Sequence, residues 1–163
     1  MKTRVLHKIL IVASLLAMGL VSSVHFFATK TEVYMSGTIA ISPDLEDFST
    51  GISTLFITLF DASSASPMPW GAQRVALNKD KKSGKFYEFI LTEDNLRRMG
   101  AAGGSDTPPS RFRIKARLDL NGQGGMDQPG DMTGEVRDVA YGSQDIHVLI
   151  HKRIQSELHS AHP

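Results

Sequence analysis

The chain has 163 residues, enough for one domain of ordinary size plus an anchor or tail. A hydrophobic fraction of 41% permits a core, while the absence of cysteine excludes a disulfide framework, a thiolate metal site and a thiol nucleophile. The net charge of +1 conceals a split: Lys2, Arg4, Lys8 and Lys30 flank the N-terminal apolar stretch, and residues 31–163 carry 14 basic against 17 acidic side chains, which argues against nucleic acid as a partner.

Residues 9–28, ILIVASLLAMGLVSSVHFFA, contain no charged side chain. About twenty apolar residues are needed to cross the hydrocarbon core as a helix. The basic residues before the run predict that the N-terminus stays in the cytoplasm and the remainder is exported. A cleaved signal peptide is the competing reading, with Val21 and Ser23 at positions −3 and −1. Both readings place the following domain outside the cytoplasm.

From residue 33 the hydrophobic period changes to two. VYMSGTIAI (33–41) alternates as a strand. SPDLEDFSTG (42–51) is a polar connection. STLFITLFD (53–61) is apolar on both faces, so its second face is covered or meets a loop. ASSASPMP (62–69) is an extended loop, WGAQRVAL (70–77) a strand, NKDKKSG (78–84) an exposed turn and KFYEFIL (85–91) a strand. TEDNLRRMG (92–100) carries helix signals: Thr92 as N-cap, Glu93 and Asp94 in the first turn, Arg97 and Arg98 near the end, Gly100 beyond. RFRIKARLD (111–119) puts Phe112, Ile114, Ala116 and Leu118 on one side and Arg113, Lys115 and Arg117 on the other. After a glycine-rich loop (121–134) come the strands EVRDVAY (135–141) and QDIHVLIHK (144–152), then a polar tail from 153. The expected fold is all-β: an antiparallel two-sheet sandwich of about seven strands with one short helix, over residues 33–152.

Four segments occur in an order that resembles a known family: PMPWGAQR (67–74), FILTEDNLRRM (89–99), KARLDLNGQGGMDQPGDMTG (115–134) and DIHVLIH (145–151). The similarity, from about Met35 to His151, is to the C-terminal periplasmic domain of the cytochrome c-type biogenesis protein H family (CycH, or CcmI). The loop Gln128-Pro129-Gly130-Asp131-Met132-Thr133-Gly134 is its most specific part. The resemblance implies an Ig-like sandwich at the bacterial inner membrane, held single-pass with the domain in the periplasm, or free there if the leader is cleaved. It implies a role in cytochrome c assembly with protein partners, either assembly subunits or apocytochrome c. The tetratricopeptide repeats of that family have no counterpart in this chain, and the resemblance carries no catalytic residue.

The candidate partner-binding residues are Met68 and Trp70 in one loop and Met126, Gln128, Pro129, Asp131 and Met132 in another. Methionine offers adaptable apolar contact and proline stiffens the backbone. If the loops lie at one end of the sandwich, an apolar patch results. The opposing reading turns Met68, Trp70 and Met132 into core and makes Asp131 a turn cap. Asp119-x-Asn121-x-Gln123-Gly124 resembles the start of a calcium loop, but the position of the final carboxylate is Gly130; a self-bonded glycine turn is the alternative. His147 and His151 stand roughly 13 Å apart on one strand, too far to share a metal, although with His159, His162 and the methionines a copper- or heme-handling protein is conceivable. Arg113, Lys115 and Arg117 form a basic stripe, read as a solvated face or a contact for anionic headgroups. No nucleophile–base pairing is found, and no cofactor, metal site or enzymatic activity is expected. The expected function is a membrane-anchored binding module, with a structural envelope domain as a further alternative.

Overall fold

A computed structural model of the chain describes residues 31–77, 84–99 and 107–156. The apolar run 9–28 and the residues from 157 onward lie outside these. Among the described residues no helix is long and apolar enough to cross a membrane. The chain divides into two units, 1–31 and 32–163, and the strands among the described residues belong to the second.

The strands found among the described residues are β1 (Val33–Ile41), β2 (Thr54–Asp61), β3 (Gly71–Ala76), β4 (Gly84–Thr92), β5 (Arg97–Arg98), β6 (Arg111–Asp119), β7 (Met132–Ala140), β8 (Ile146–Ile150) and β9 (Lys152–Arg153). They form two sheets, β4-β1-β8 and β5-β3-β2-β6-β7-β9. The inward residues of both meet in a single apolar cluster, with Met35, Ile39 and Phe89 from the smaller sheet and Leu55, Ile57 and Ile114 from the larger. The protein is therefore mostly β and sandwich-like. The alternation visible in 111–119 and 144–152 is realised side chain by side chain: Phe112, Ile114, Ala116 and Leu118 are buried, as are Ile146, Val148 and Ile150, while His147, Leu149 and His151 are exposed.

Three expectations need correction. The short helix is not at 92–100. There the Asn95 amide closes a turn, its Oδ1 accepting from the Thr92 backbone N–H (2.9 Å) and its Nδ2 donating to the Ile90 carbonyl (2.8 Å). Leu96 is buried, and Arg97 and Arg98 pair with β3 as an added edge strand. The partner strand supplies the backbone hydrogen bonds that a helix would have made internally, so tertiary pairing overrides the capping signals. The helical turn lies instead in the polar connection, as a 3-10 turn (Pro43–Leu45) running into α1 (Glu46–Ser49), anchored by buried Leu45.

The sandwich is also not wholly antiparallel. β8 runs parallel to β1, in register from Gly37↔Ile146 to Ile41↔Ile150. After β7 the chain leaves the larger sheet through a turn in which Gly142 and Asp145 both take positive φ (80° and 56°), and β8 joins the smaller sheet beside β1. A crossover between sheets frees the strand from the direction a hairpin would impose.

The tail also begins later than residue 153. β9 pairs with the start of β7, and Ile154 exchanges backbone hydrogen bonds with Gly130 (2.9 Å) and Asp131 (2.8 Å). β9 thus forms an edge of the larger sheet.

Trp70 packs edge-on between Tyr34 and Phe112, with ring centroids at 5.3 Å in each case, and Tyr141 stacks obliquely on Tyr34 at 5.8 Å. Burial pushes the Tyr141 phenol up to about 12, and its hydrogen bond to the Glu32 carboxylate adds to the shift.

Candidate functional site

β2 explains where the site lies. Leu55, Ile57 and Leu59 enter the core, and Phe56, Thr58 and Phe60 point the other way without being fully exposed. The apolar second face of this strand, legible in STLFITLFD, is covered in part by two loops. One is the Pro67-Met68-Pro69 stretch between β2 and β3. The other is the glycine-rich stretch 122–127 between β6 and β7. Between them runs a groove of about 1290 Å³ on the outer face of the larger sheet. Its apolar lining is Phe56, Phe60, Met68, Met99 and Met126, flanked by Pro67 and Pro69. Its charged lining is Arg74, Arg97, Arg98, Lys115 and Arg117 against a single acidic residue, Asp127. This is a concentration of positive charge on a domain whose residues 31–163 are net acidic.

Met68 and Met126 are 57% and 88% exposed and line the same groove from separate loops. Trp70 is half-buried behind it, with the Arg98 guanidinium 4.1 Å above its ring, a cation–π distance. Gln128 and Pro129 are exposed but stand outside the groove; the Gln128 Oε1 accepts from Asn121 Nδ2 at 3.2 Å. Asp131 and Met132 require correction as surface contacts. Met132 is 0% exposed in the core and Asp131 is 2% exposed. Met132 follows the period-two pattern of β7 inward, so its apolar side chain is spent on packing. Asp131 accepts from the backbone N–H groups of Leu120 (3.0 Å) and Gln128 (2.9 Å), which makes it the internal clamp of the loop.

The basic stripe on β6 is neither a solvated face nor a set of free cations. Arg113 pairs with Glu135 at 2.9 Å and lies over Phe60 at 4.1 Å. Lys115 bonds Asp127 at 2.6 Å. Arg117 is only 5% exposed. Its Nη2 meets Asp119 at 2.7 Å, and its Nη1 donates to the Gly125 carbonyl at 2.8 Å and to Asp127 at 3.3 Å. Its Nε lies 3.8 Å from Asp131, a charge contact too long for a hydrogen bond. The guanidinium thus sits among three carboxylates. The calcium-like spelling 119–124 has a local use instead: Asp119 accepts from the Gly122 N–H, and Asn121 Oδ1 from the Gln123 N–H at 2.9 Å. His147 stands on the other sheet with its Nδ1 2.7 Å from Thr38 Oγ1, so the histidines and the methionines of the groove do not converge among the described residues.

Burial works to raise the Asp127 pKa, but the hydrogen bond and charge of Lys115, followed by Arg117, outweigh it and hold the carboxyl below its ordinary value. A carboxylate with a depressed folded-state pKa stabilises the fold above its unfolded value near 4, and that contribution is lost as pH falls through the folded value. Thermal melting followed from pH 6 to pH 2 is expected to drop below about pH 4, and less steeply in Asp127→Asn. Identical acid slopes for the two proteins would show that the Lys115–Asp127 strap contributes nothing.

Phe56, Phe60, Arg74, Arg97 and Met99 were not among the candidates from sequence. A signal existed for the first two in the doubly apolar β2. None existed for the arginines, which reach the groove only because β3 lies beside β2 and β5 beside β3. No family model, curated protein or solved structure matches the chain.

Proposed function

We propose that this chain is a non-catalytic binding module that holds a segment of another polypeptide in the groove of its larger sheet. The observation that carries this reading is the convergence of Met68 and Met126, both exposed, from two loops onto one basic and apolar groove. Exposed apolar surface rimmed by polar groups marks interaction sites, and arginine beside aromatic rings is the usual composition of their energetic centres. Two rigid walls, the proline-flanked loop and the strapped loop 122–127, give the groove a fixed shape, which lowers the entropy cost of binding.

The fuller reading adds the N-terminal run 9–28 as a membrane tether and places an Ig-like domain on its exported side. Tethering raises the local concentration of membrane-bound partners. The motif resemblance over residues 67–74, 89–99, 115–134 and 145–151 supports a partner from the cytochrome c assembly apparatus, a subunit or apocytochrome c itself.

A photo-cross-linker placed at position 123, an exposed position on the groove lining, of the full chain in native membranes tests this. The expected product is a cytochrome c assembly protein or apocytochrome c. Met68→Ser combined with Met126→Ser is expected to reduce that product about tenfold, since loss of central contacts costs more than about 1 kcal/mol each. Both side chains are exposed, so the melting temperature is expected to change little. Undiminished capture by the double variant would remove the groove from consideration.

A further inference from the structure

The register of the larger sheet gives the groove an orientation. Arg97 stands opposite Ala72, Ala72 opposite Thr58, and Thr58 opposite Lys115. This row crosses four strands, and its two middle members are small. On one side of it the neighbouring row is Arg74, Phe56 and Arg117; on the other side Phe60 stands opposite Arg113. Small side chains flanked by phenylalanines make a trough that runs across the strands rather than along them. Adjacent strands are spaced about 4.8 Å, so the row spans roughly 14 Å, the length of about four residues of extended chain.

The two ends differ in charge. At the β6 end Lys115 is strapped to Asp127 at 2.6 Å, and Arg117 is surrounded by carboxylates. At the other end Arg97 is exposed on the edge strand, and Arg74, also exposed, makes a long 3.3 Å bond to the neutral Gly122 carbonyl. Among the described residues, no acidic residue lines this end of the groove. We infer that the occupant is an extended segment of about four residues lying crosswise, apolar over the Thr58–Ala72 floor and carrying a carboxylate at the Arg74–Arg97 end. This rests on the groove being the binding site. It adds the occupant's charge, direction and length.

Trp70, the only tryptophan of the chain, reports on the groove through Arg98, which lines it and covers the indole ring. The experiment titrates the full chain in zwitterionic nanodiscs with two synthetic hexapeptides, one alternating glutamate with leucine and one alternating lysine with leucine, and follows Trp70 fluorescence at two salt concentrations. The acidic peptide is expected to bind at least tenfold more tightly, to weaken severalfold between 0.05 and 0.5 M salt (roughly 14 and 4 Å of screening length), and to lose its advantage in Arg74→Glu/Arg97→Glu. Should that variant fold poorly, the salt series on the unsubstituted chain decides alone. Equal affinity for both peptides overturns the inferred charge and leaves the binding site standing. If neither peptide perturbs Trp70, the charge and the binding site are both overturned. A response to anionic lipid added to the nanodiscs that abolishes peptide binding shows a headgroup site instead, and overturns the peptide occupant.

Discussion

Arg117→Met is expected to destabilise the domain by about 3–5 kcal/mol, the cost of removing one partner from a buried ionic cluster. The methionine stem matches most of the aliphatic length of arginine, so the loss is electrostatic rather than a cavity. Asp119 and Asp131, 3% and 2% exposed, would be left as buried charges without their cation. Asp131 holds the backbone of Leu120 and Gln128, and Asp119 holds that of Gly122, so the loop 120–131 would loosen with the cluster. Arg117→Lys is expected to lose less, keeping the charge while giving up the forked contacts to Asp119, Asp127 and Gly125. Urea denaturation of the two variants checks both. A loss under about 1 kcal/mol for the methionine variant would mean that the cluster behaves as a surface ion pair.

Gly134→Ala is expected to cost about 3 kcal/mol or to prevent folding, at the upper end of what overpacking does. A β-carbon there would lie 2.0 Å from the Leu149 carbonyl oxygen and 2.9 Å from the Ile150 Cα. Both obstacles are backbone, so no side chain can rotate away. Gly37 faces the same strand from the other sheet, where an added β-carbon would come 2.1 Å from the Ile146 oxygen. β8 therefore passes close to a glycine on each sheet. The control is Gly125→Ala, where nothing lies within 4 Å and only the positive φ of 89° opposes the change, at about 1–2 kcal/mol. Melting temperatures order the two. If Gly134→Ala proves no more costly than Gly125→Ala, the close approach of β8 to β7 is wrong. If the approach is real, amide exchange in Gly134→Ala should accelerate first along the β1–β8 ladder.

Both expectations concern residues whose importance is invisible in the linear chain. Gly134 ends a motif but spells nothing about Leu149, because the contact is between backbones that meet only when β8 changes sheets. Arg117 reads as one member of an alternating basic stripe. Its burial follows from the loop 122–127 folding back over β6, a path set by several glycines that take positive φ and by carboxylates lying beyond the strand.

The groove was half legible. Met68 and Met126 were visible as unusual apolar residues among turn formers, and that they share one groove is a tertiary fact. Met132, spelled in the same loop motif, belongs to the core because β7 starts at that residue, three positions earlier than the alternation indicated. The helix expected at 92–100 failed for a related reason. Capping residues state what a segment does alone, and β3 offered its backbone a better set of partners.

Period-two alternation indicated, without any structure, that the domain is mostly β, and it identified the inward side of β6 and β8. Each of those inferences depends only on neighbours along the chain, since side chains two apart share a face. The order of strands, the parallel entry of β8, the burial of Arg117 and the cross-strand trough were decided by the packed sheets alone. They depend on which residues become opposite one another, and local propensity does not encode that distance.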